Sequence, residues 1–347
     1  LSPANFAPVV VGCAGTDLTA AEQALFAQHK PFGFILFARN IDNPAQVRAL
    51  VAAFRTAVGN AQAPVLIDQE GGRVARLKPP HWPSFPAAAR FGALYLTDRE
   101  AAKEAAYLNA RAIGAELAAL GIDVDCAPVA DLPVEGAHDV IGDRAYGFVP
   151  EAVAALAEAT MRGLLDAGVL PVVKHIPGHG RSRADSHLEL PVVEADRATL
   201  AQSDFLPFKV LAKAPWAMTA HIVYTAYDKA QPATTSPTVI AEVIRGAIGF
   251  EGVLISDDLT MKALSGSLPE LAKASLGAGC DLVLHCSGKL DEMRDLFAGL
   301  PAMAPQAAQR IAKAATAKPA QARGFEPADR KRLADLLAEA LPRAASA

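Results

Sequence analysis

The stretch GFILFARNIDNPAQVRALVAAFRTAV, residues 33–58, holds the pattern that decides the fold. It begins with an unbroken apolar run, Gly33-Phe34-Ile35-Leu36-Phe37, as expected of a strand buried on both faces. A polar junction follows. In Pro44–Val58, the residues Val47, Leu50, Val51, Phe54 and Val58 then recur at helical spacing and form one apolar stripe.

The same unit recurs along the chain. Apolar runs at Pro8–Gly12, Pro64–Asp68, Ile122–Pro128, Leu170–His175, Trp216–His221, Val253–Asp257 and Cys280–His285 join Gly33–Phe37 to make eight. Ala101–Leu120, Glu151–Asp166, Ala198–Lys213 and Thr238–Ile248 have the amphipathic pattern of helices between them. Alternating strands and helices imply right-handed crossovers and a parallel sheet. Eight units in 347 residues fit a closed α/β (β/α)8 TIM-type barrel better than an open doubly wound sheet. No linker rich in Gly, Ser or Pro divides the chain, so a single barrel domain is expected over residues 1–302. An Ala-rich helical tail, 303–347, is expected to pack outside it.

Composition excludes other classes. With 52% hydrophobic and 20% charged residues and a mean hydropathy of +0.20, the chain can bury a large core and is not a disordered one. Its 33 Lys+Arg against 37 Asp+Glu lack the basic excess that a sequence-independent grip on nucleic acid needs. Cys13, Cys126, Cys280 and Cys286 match neither a CxxC knuckle nor a disulfide framework and read as reduced thiols. Leu1–Gly12 lacks the basic start and long apolar region of a signal peptide, and no stretch approaches ~18 uninterrupted apolar residues. A soluble cytoplasmic protein with no membrane partner is expected.

Barrels place their chemistry at the C-terminal ends of the strands. Four of the runs end in polar groups there: Asp68-Gln69-Glu70-Gly71-Gly72-Arg73, Lys174-His175, His221, and Ser256-Asp257-Asp258. A lone Asp at such an end is most often a helix cap or a solvated turn residue, which suits Asp258. Four such ends, two of them carrying Lys or His, point to one shared cleft.

The densest stretch runs from Lys174-His175-Ile176-Pro177-Gly178-His179-Gly180 through Asp185-Ser186-His187. His175 and His179 have the spacing of helical zinc ligands, but Pro177 and Gly178 oppose a helix. A loop gathering His175, His179, Asp185 and His187 around a metal remains an alternative, a metal-dependent hydrolase. Asp185 and His187 can instead form an acid/base dyad, the carboxylate favouring imidazolium. A second alternative is a Schiff-base lyase on Lys174, and a third is a sugar-binding barrel without catalysis.

Together these motifs resemble glycoside hydrolase family 3, most closely its bacterial single-domain β-N-acetylglucosaminidases. The matching residues are Asp68–Arg76, Ile141-Gly142-Asp143-Arg144, Lys174–Gly180 with Asp185-Ser186-His187, and Ile255–Leu259, and the match runs from about Val10 to Cys286. The resemblance implies retaining hydrolysis of terminal β-linked N-acetylglucosamine, with Asp257 as nucleophile and His187, oriented by Asp185, as acid/base. It assigns sugar binding to Asp68, Arg76, Arg144, Lys174 and His175, with Met218 and His221 on the strand-six wall.

Retaining glycosidases usually pair two carboxylates. A histidine as acid/base departs from that rule, and its place on a loop leads us to expect closure of that loop over substrate. Asp68 suits vicinal hydroxyls, and the cations suit hydroxyls or an anionic aglycone unless Arg144 and Lys174 merely pair with Asp143 or Asp68. Arg181 and Arg183 make the segment before Asp185 unusually basic. The implied role is peptidoglycan recycling, with a muropeptide fragment carrying 1,6-anhydro-N-acetylmuramic acid as substrate, by a monomer using neither cofactor nor metal.

Overall fold

The computed structural model describes residues 2–136, 138–182, 186 and 189–339. Eight parallel strands close a barrel: β1 (Ala7–Val11), β2 (Pro31–Leu36), β3 (Val65–Ile67), β4 (Val124–Asp125), β5 (Leu170–Ile176), β6 (Trp216–Thr219), β7 (Val253–Asp258) and β8 (Leu282–His285). Each pairs with its sequence neighbours, and β1 closes on β8 with Val10 opposite Leu284. The (β/α)8 expectation therefore holds. A further pair of two-residue strands, Val192–Val193 and Val223–Tyr224, lies apart from the barrel.

The barrel forms because alternate strand residues fill its interior. Val10, Ile35, Leu66, Val124, Val172, Trp216, Ile255 and Leu282 form one inner cluster, and Trp216 stacks on Phe32 with ring centroids 6.2 Å apart. The intervening side chains face the helices. Pro44–Val58 is helical as its stripe predicts: Asn43 accepts from the N–H groups of Ala45 and Gln46, and Gly59 ends the helix at φ 67°. Its Phe54 stacks on Phe34 of β2 at 4.6 Å, so truncating it to alanine would cost about 3–5 kcal/mol.

Local departures have local causes. The expected helix Ala198–Lys213 is two helices, Arg197–Gln202 and Phe205–Val210, broken at Ser203 and Asp204. Asp204 accepts from Arg181, and Ser203 donates to it, so side-chain bonding competes with the helix there. Val239–Ala247 winds as a π-helix. Near the C-terminus, helix Pro305–Ala315 places Ala307, Ile311 and Ala314 in the same cluster as the barrel interior, next to Phe6. Helix Pro327–Glu339 packs by Leu336, and the buried Arg111 pairs with its Asp329 at 3.0 Å. All four cysteines are free and buried, and no described helix is long and apolar enough to cross a membrane.

Candidate active site

A cavity of about 620 Å³ opens at the C-terminal ends of the strands, as the strand-end rule requires. Asp68, Glu70, Arg76, Arg144, Lys174, His175, His179, Ser186, Met218 and Asp257 all line it. Its apolar side comes from Ile35, Phe37, Met218, Met261 and Leu284. The cavity is therefore part hydrogen-bonding and part apolar.

One side is a chain of alternating charges. Arg76 donates to Asp68 at 3.0 Å, and the Lys174 ammonium bridges Asp68 at 2.8 Å and Glu70 at 2.7 Å. Arg144 then grips Glu70 through both oxygens at 2.8 Å. The Lys174 and Glu70 side chains are only 3% and 6% exposed, so each is dependent on its partners to remain charged. Burial would push both carboxyls up, but the Lys174 charge and the neighbouring arginines outweigh it and hold Asp68 and Glu70 below the usual range. The same pairing outweighs burial at Lys174 and keeps its ammonium more firmly protonated.

The loop after β3 aims this chain. Gly71 has φ 95°, and a Cβ there would lie 2.4 Å from the Pro86 carbonyl oxygen, so the turn requires glycine. Gln69 points the other way. Its side-chain oxygen accepts from the N–H groups of Arg76 and Leu77, which fixes the return of the loop toward Asp68. Arg73 donates to Asp143 and to the carbonyls of Asp139, Val140 and Ile141, clasping the loop after β4.

At the end of β5, a fully buried Asp131 organises two histidines. Its Oδ2 lies 2.7 Å from His175 Nδ1, and its Oδ1 accepts from the backbone N–H of His175 at 3.1 Å and of His179 at 2.6 Å. Burial opposes ionisation of Asp131, but His175 and His179 hold it low. The Nδ1 proton of His175 thus points away from the cavity, leaving Nε2 for a ligand. Burial, then the neighbouring His175, pull His179 down to about 4, so its ring is neutral near pH 7.

Across the cavity stands Asp257, half-buried at the end of β7. Its Oδ1 accepts from the Asp258 N–H at 2.8 Å, and its other oxygen accepts no hydrogen bond from the described residues. Burial pushes its carboxyl up, but His221, His175, the Asp258 N–H and Lys174 together hold it below the usual range. Asp258 caps no helix but holds the turn after β7: it accepts from the N–H and hydroxyl of Thr260 and from the Cys286 N–H.

His221 requires a correction. The sequence reading sets it on the sugar-binding wall, but it is fully buried and does not line the cavity. Its Nε2 donates to the Asp258 carbonyl at 3.0 Å and its Nδ1 meets the Thr234 hydroxyl at 2.7 Å, so both ring nitrogens are occupied. Burial lowers its pKa, in keeping with a neutral ring. Met218 does line the cavity.

The structure thus gathers Asp68, Arg76, Arg144, Lys174, His175, Met218 and Asp257 around one cavity. Asp185, His187 and Arg183 lie outside the described residues. Arg181 pairs with Asp204 at 2.6 Å. Arg144 pairs with Glu70 rather than Asp143, and Asp143 takes Arg73 instead. Glu70 and Asp131 were missed as site residues. Strand alternation from Asp68 would have found Glu70, and applying the strand-end rule to the fourth run would have found Asp131. Among the described residues no three His, Cys, Asp or Glu side chains converge as metal ligands.

Comparison with known proteins gives the same picture. Residues 9–316 match the glycosyl hydrolase family 3 N-terminal domain. The chain is 42% identical over 284 residues to a β-hexosaminidase of Alkalilimnicola ehrlichii, covering 81% of this chain and 80% of that one. It is 40% identical over 312 residues to that of Chromobacterium violaceum, covering 89% and 86%. Among solved structures, NagZ from Neisseria gonorrhoeae in complex with N-trifluoroacetyl-D-glucosamine superposes with a TM-score of 0.85 at 32% identity, covering 97% of this chain and 98% of that one. A family 3 β-N-acetylglucosaminidase from Paenibacillus gives 0.84 at 30% identity, covering 98% and 68%.

Proposed function

We propose that this chain, which belongs to glycosyl hydrolase family 3 and is a glycoside hydrolase of the β-hexosaminidase kind, releases terminal β-linked N-acetylglucosamine with retention of configuration. The observation that carries this reading is Asp257, whose carboxyl is held below the usual range, whose second oxygen accepts no hydrogen bond from the described residues, and which lines one cavity with Asp68, Arg76, Arg144, Lys174 and His175. In the first step that oxygen bonds to the anomeric carbon while the bond to the aglycone breaks, and His187, as imidazolium paired with Asp185, protonates the departing oxygen. In the second, neutral His187 takes a proton from water, the water oxygen bonds to the anomeric carbon, and the Asp257 ester bond breaks.

Asp68, Arg76, Arg144, Lys174 and His175 bind the sugar hydroxyls, and Met218 packs against its apolar face. The solved relative bound to an N-acylated glucosamine supports the choice of sugar. Because Arg76, Arg144 and Lys174 are already paired with Asp68 and Glu70, they do not by themselves choose the aglycone, and it is on the family resemblance that we take the substrate to be N-acetylglucosamine linked to 1,6-anhydro-N-acetylmuramic acid or its peptide form. Such a fragment arises in peptidoglycan recycling, in the cytoplasm, where the chain would act as a monomer without a cofactor. The Schiff-base alternative is disfavoured because Lys174 is held as an ammonium between two carboxylates and is a poor nucleophile in that form.

A fluorosugar inactivator that accumulates the glycosyl-enzyme tests the mechanism. Peptide mapping is expected to find the label within Ile255–Leu259, on Asp257. A label elsewhere overturns the assignment.

A further inference from the structure

The sequence Asp185-Ser186-His187 joins the two proposed acid/base partners through one serine. Ser186 is described, it is buried, and it lines the cavity. Its hydroxyl lies 3.1 Å from His179 Nε2, and its carbonyl accepts from the Ala263 N–H at 3.2 Å. Residue 186 is thus attached both to the Pro-Gly-His-Gly turn after β5 and to the loop after β7, which follows Asp257.

The His179 end of this attachment is rigid. Its backbone N–H is fixed by Asp131 at 2.6 Å, and the preceding Gly178 carbonyl accepts from the Tyr224 hydroxyl at 2.6 Å. A Cβ on Gly180 would lie 1.9 Å from the Leu132 carbonyl oxygen, so the turn is seated tightly against the chain after β4. The ring packs edge-on against His175, with centroids 5.6 Å apart. His179 Nδ1 is buried with no hydrogen-bond partner among the described residues, so the Ser186 contact is the one polar anchor of that ring there.

We propose that His179 and Ser186 form a clip that positions the acid/base pair, a role distinct from sugar binding and from proton transfer. Asp185 and His187 are the sequence neighbours of the clipped residue on either side. Fixing residue 186 against two strand-end loops therefore limits how far either partner can stray from the cavity. The inference rests on the reading of Asp185 and His187 as the acid/base pair.

The test compares a 2,4-dinitrophenyl β-N-acetylglucosaminide, which needs little protonation to depart, with an N-acetylglucosamine disaccharide, which needs it fully. In Ser186→Ala and His179→Phe, kcat on the disaccharide is expected to fall at least about tenfold more than on the aryl substrate, a small part of the 10²–10⁴ that general acid catalysis supplies. His179→Gln, whose amide nitrogen takes the place of Nε2, is expected to recover most of that loss. Ser186→Ala removes only a hydroxyl and keeps the test available should His179→Phe not fold. His187→Ala serves as the reference. If His187→Ala shows the leaving-group difference and Ser186→Ala does not, the clip is refuted while the acid/base reading stands. If His187→Ala itself shows none, the acid/base reading falls and takes the clip with it.

Discussion

The two sides of the cavity are built on opposite rules. At the corner formed by β3, β4 and β5, the charged groups are saturated: Asp68, Glu70, Lys174 and Arg144 each bind another, and Asp131 fixes two histidines. At the corner formed by β6 and β7, Asp257 receives one hydrogen bond from the described residues, and the neighbouring polar groups, Asp258 and His221, are spent on holding backbone. A group that must recognise a ligand gains from being locked in place, since its geometry is set before binding. A group that must form a bond needs an unoccupied lone pair. The contrast supports assigning binding to the first corner and covalent chemistry to the second.

The largest expected effect breaks the second corner. Asp257→Ala is expected to lower kcat on an aryl β-N-acetylglucosaminide by about 10⁴-fold or more, with only a small change in melting temperature, because the one described hydrogen bond it removes is that from the Asp258 N–H. Turnover near that of the wild type would remove the nucleophile from the mechanism.

Removing the central cation should instead damage the first corner in both stability and activity. Lys174→Met leaves Asp68 and Glu70 facing each other in a buried site, at a cost of about 3–5 kcal/mol. Chemical denaturation should show that loss, and kcat/KM should fall by about 10²-fold. A stable Lys174→Met variant would mean that the charge chain is far more hydrated than its burial suggests.

A third prediction concerns the base of that corner. Asp125 on β4 is fully buried, its Oδ1 accepts from the Gln69 N–H, and its Oδ2 has no partner. Burial pushes its carboxyl up to about 7. The folded protein therefore binds this proton more tightly than the unfolded chain, whose carboxyl titrates near 4. Asp125 is neutral to stability below about pH 4, destabilises progressively as pH rises to about 7, and exerts its full cost above that. Asp125→Asn keeps the Gln69 acceptor, so its stability relative to the wild type should grow across that interval by roughly 2–4 kcal/mol. A difference independent of pH would show that Asp125 is already ionised.

The smallest effect distinguishes holding from touching in the second corner. His221→Phe removes the bond to the Asp258 carbonyl without altering the cavity lining, so kcat should fall about tenfold while KM changes little. A rise in KM with unchanged kcat would return His221 to the sugar-binding wall.

Much of this was legible in the chain because the signals are periodic and local. Runs such as Gly33–Phe37, buried through Leu36, and stripes such as Val47–Val58 specify strand and helix from neighbours alone, and closure of the barrel follows from repeating them. The strand-end rule likewise brought Asp68, Lys174, His175 and Asp257 to one cavity from separate units. The same reasoning failed at Ala198–Lys213, where side-chain bonds at Ser203 and Asp204 overrode the helical stripe.

By itself, then, the sequence determined the barrel and which end of it carries the polar residues, since both depend on patterns a few residues long. Tertiary structure alone decided the partners: Arg144 takes Glu70 and not its neighbour Asp143, and Asp131 captures His175 from the next strand. It also turned His221 away from the cavity. Ion pairing and burial depend on where non-adjacent strand ends meet in space, a distance that no local pattern encodes.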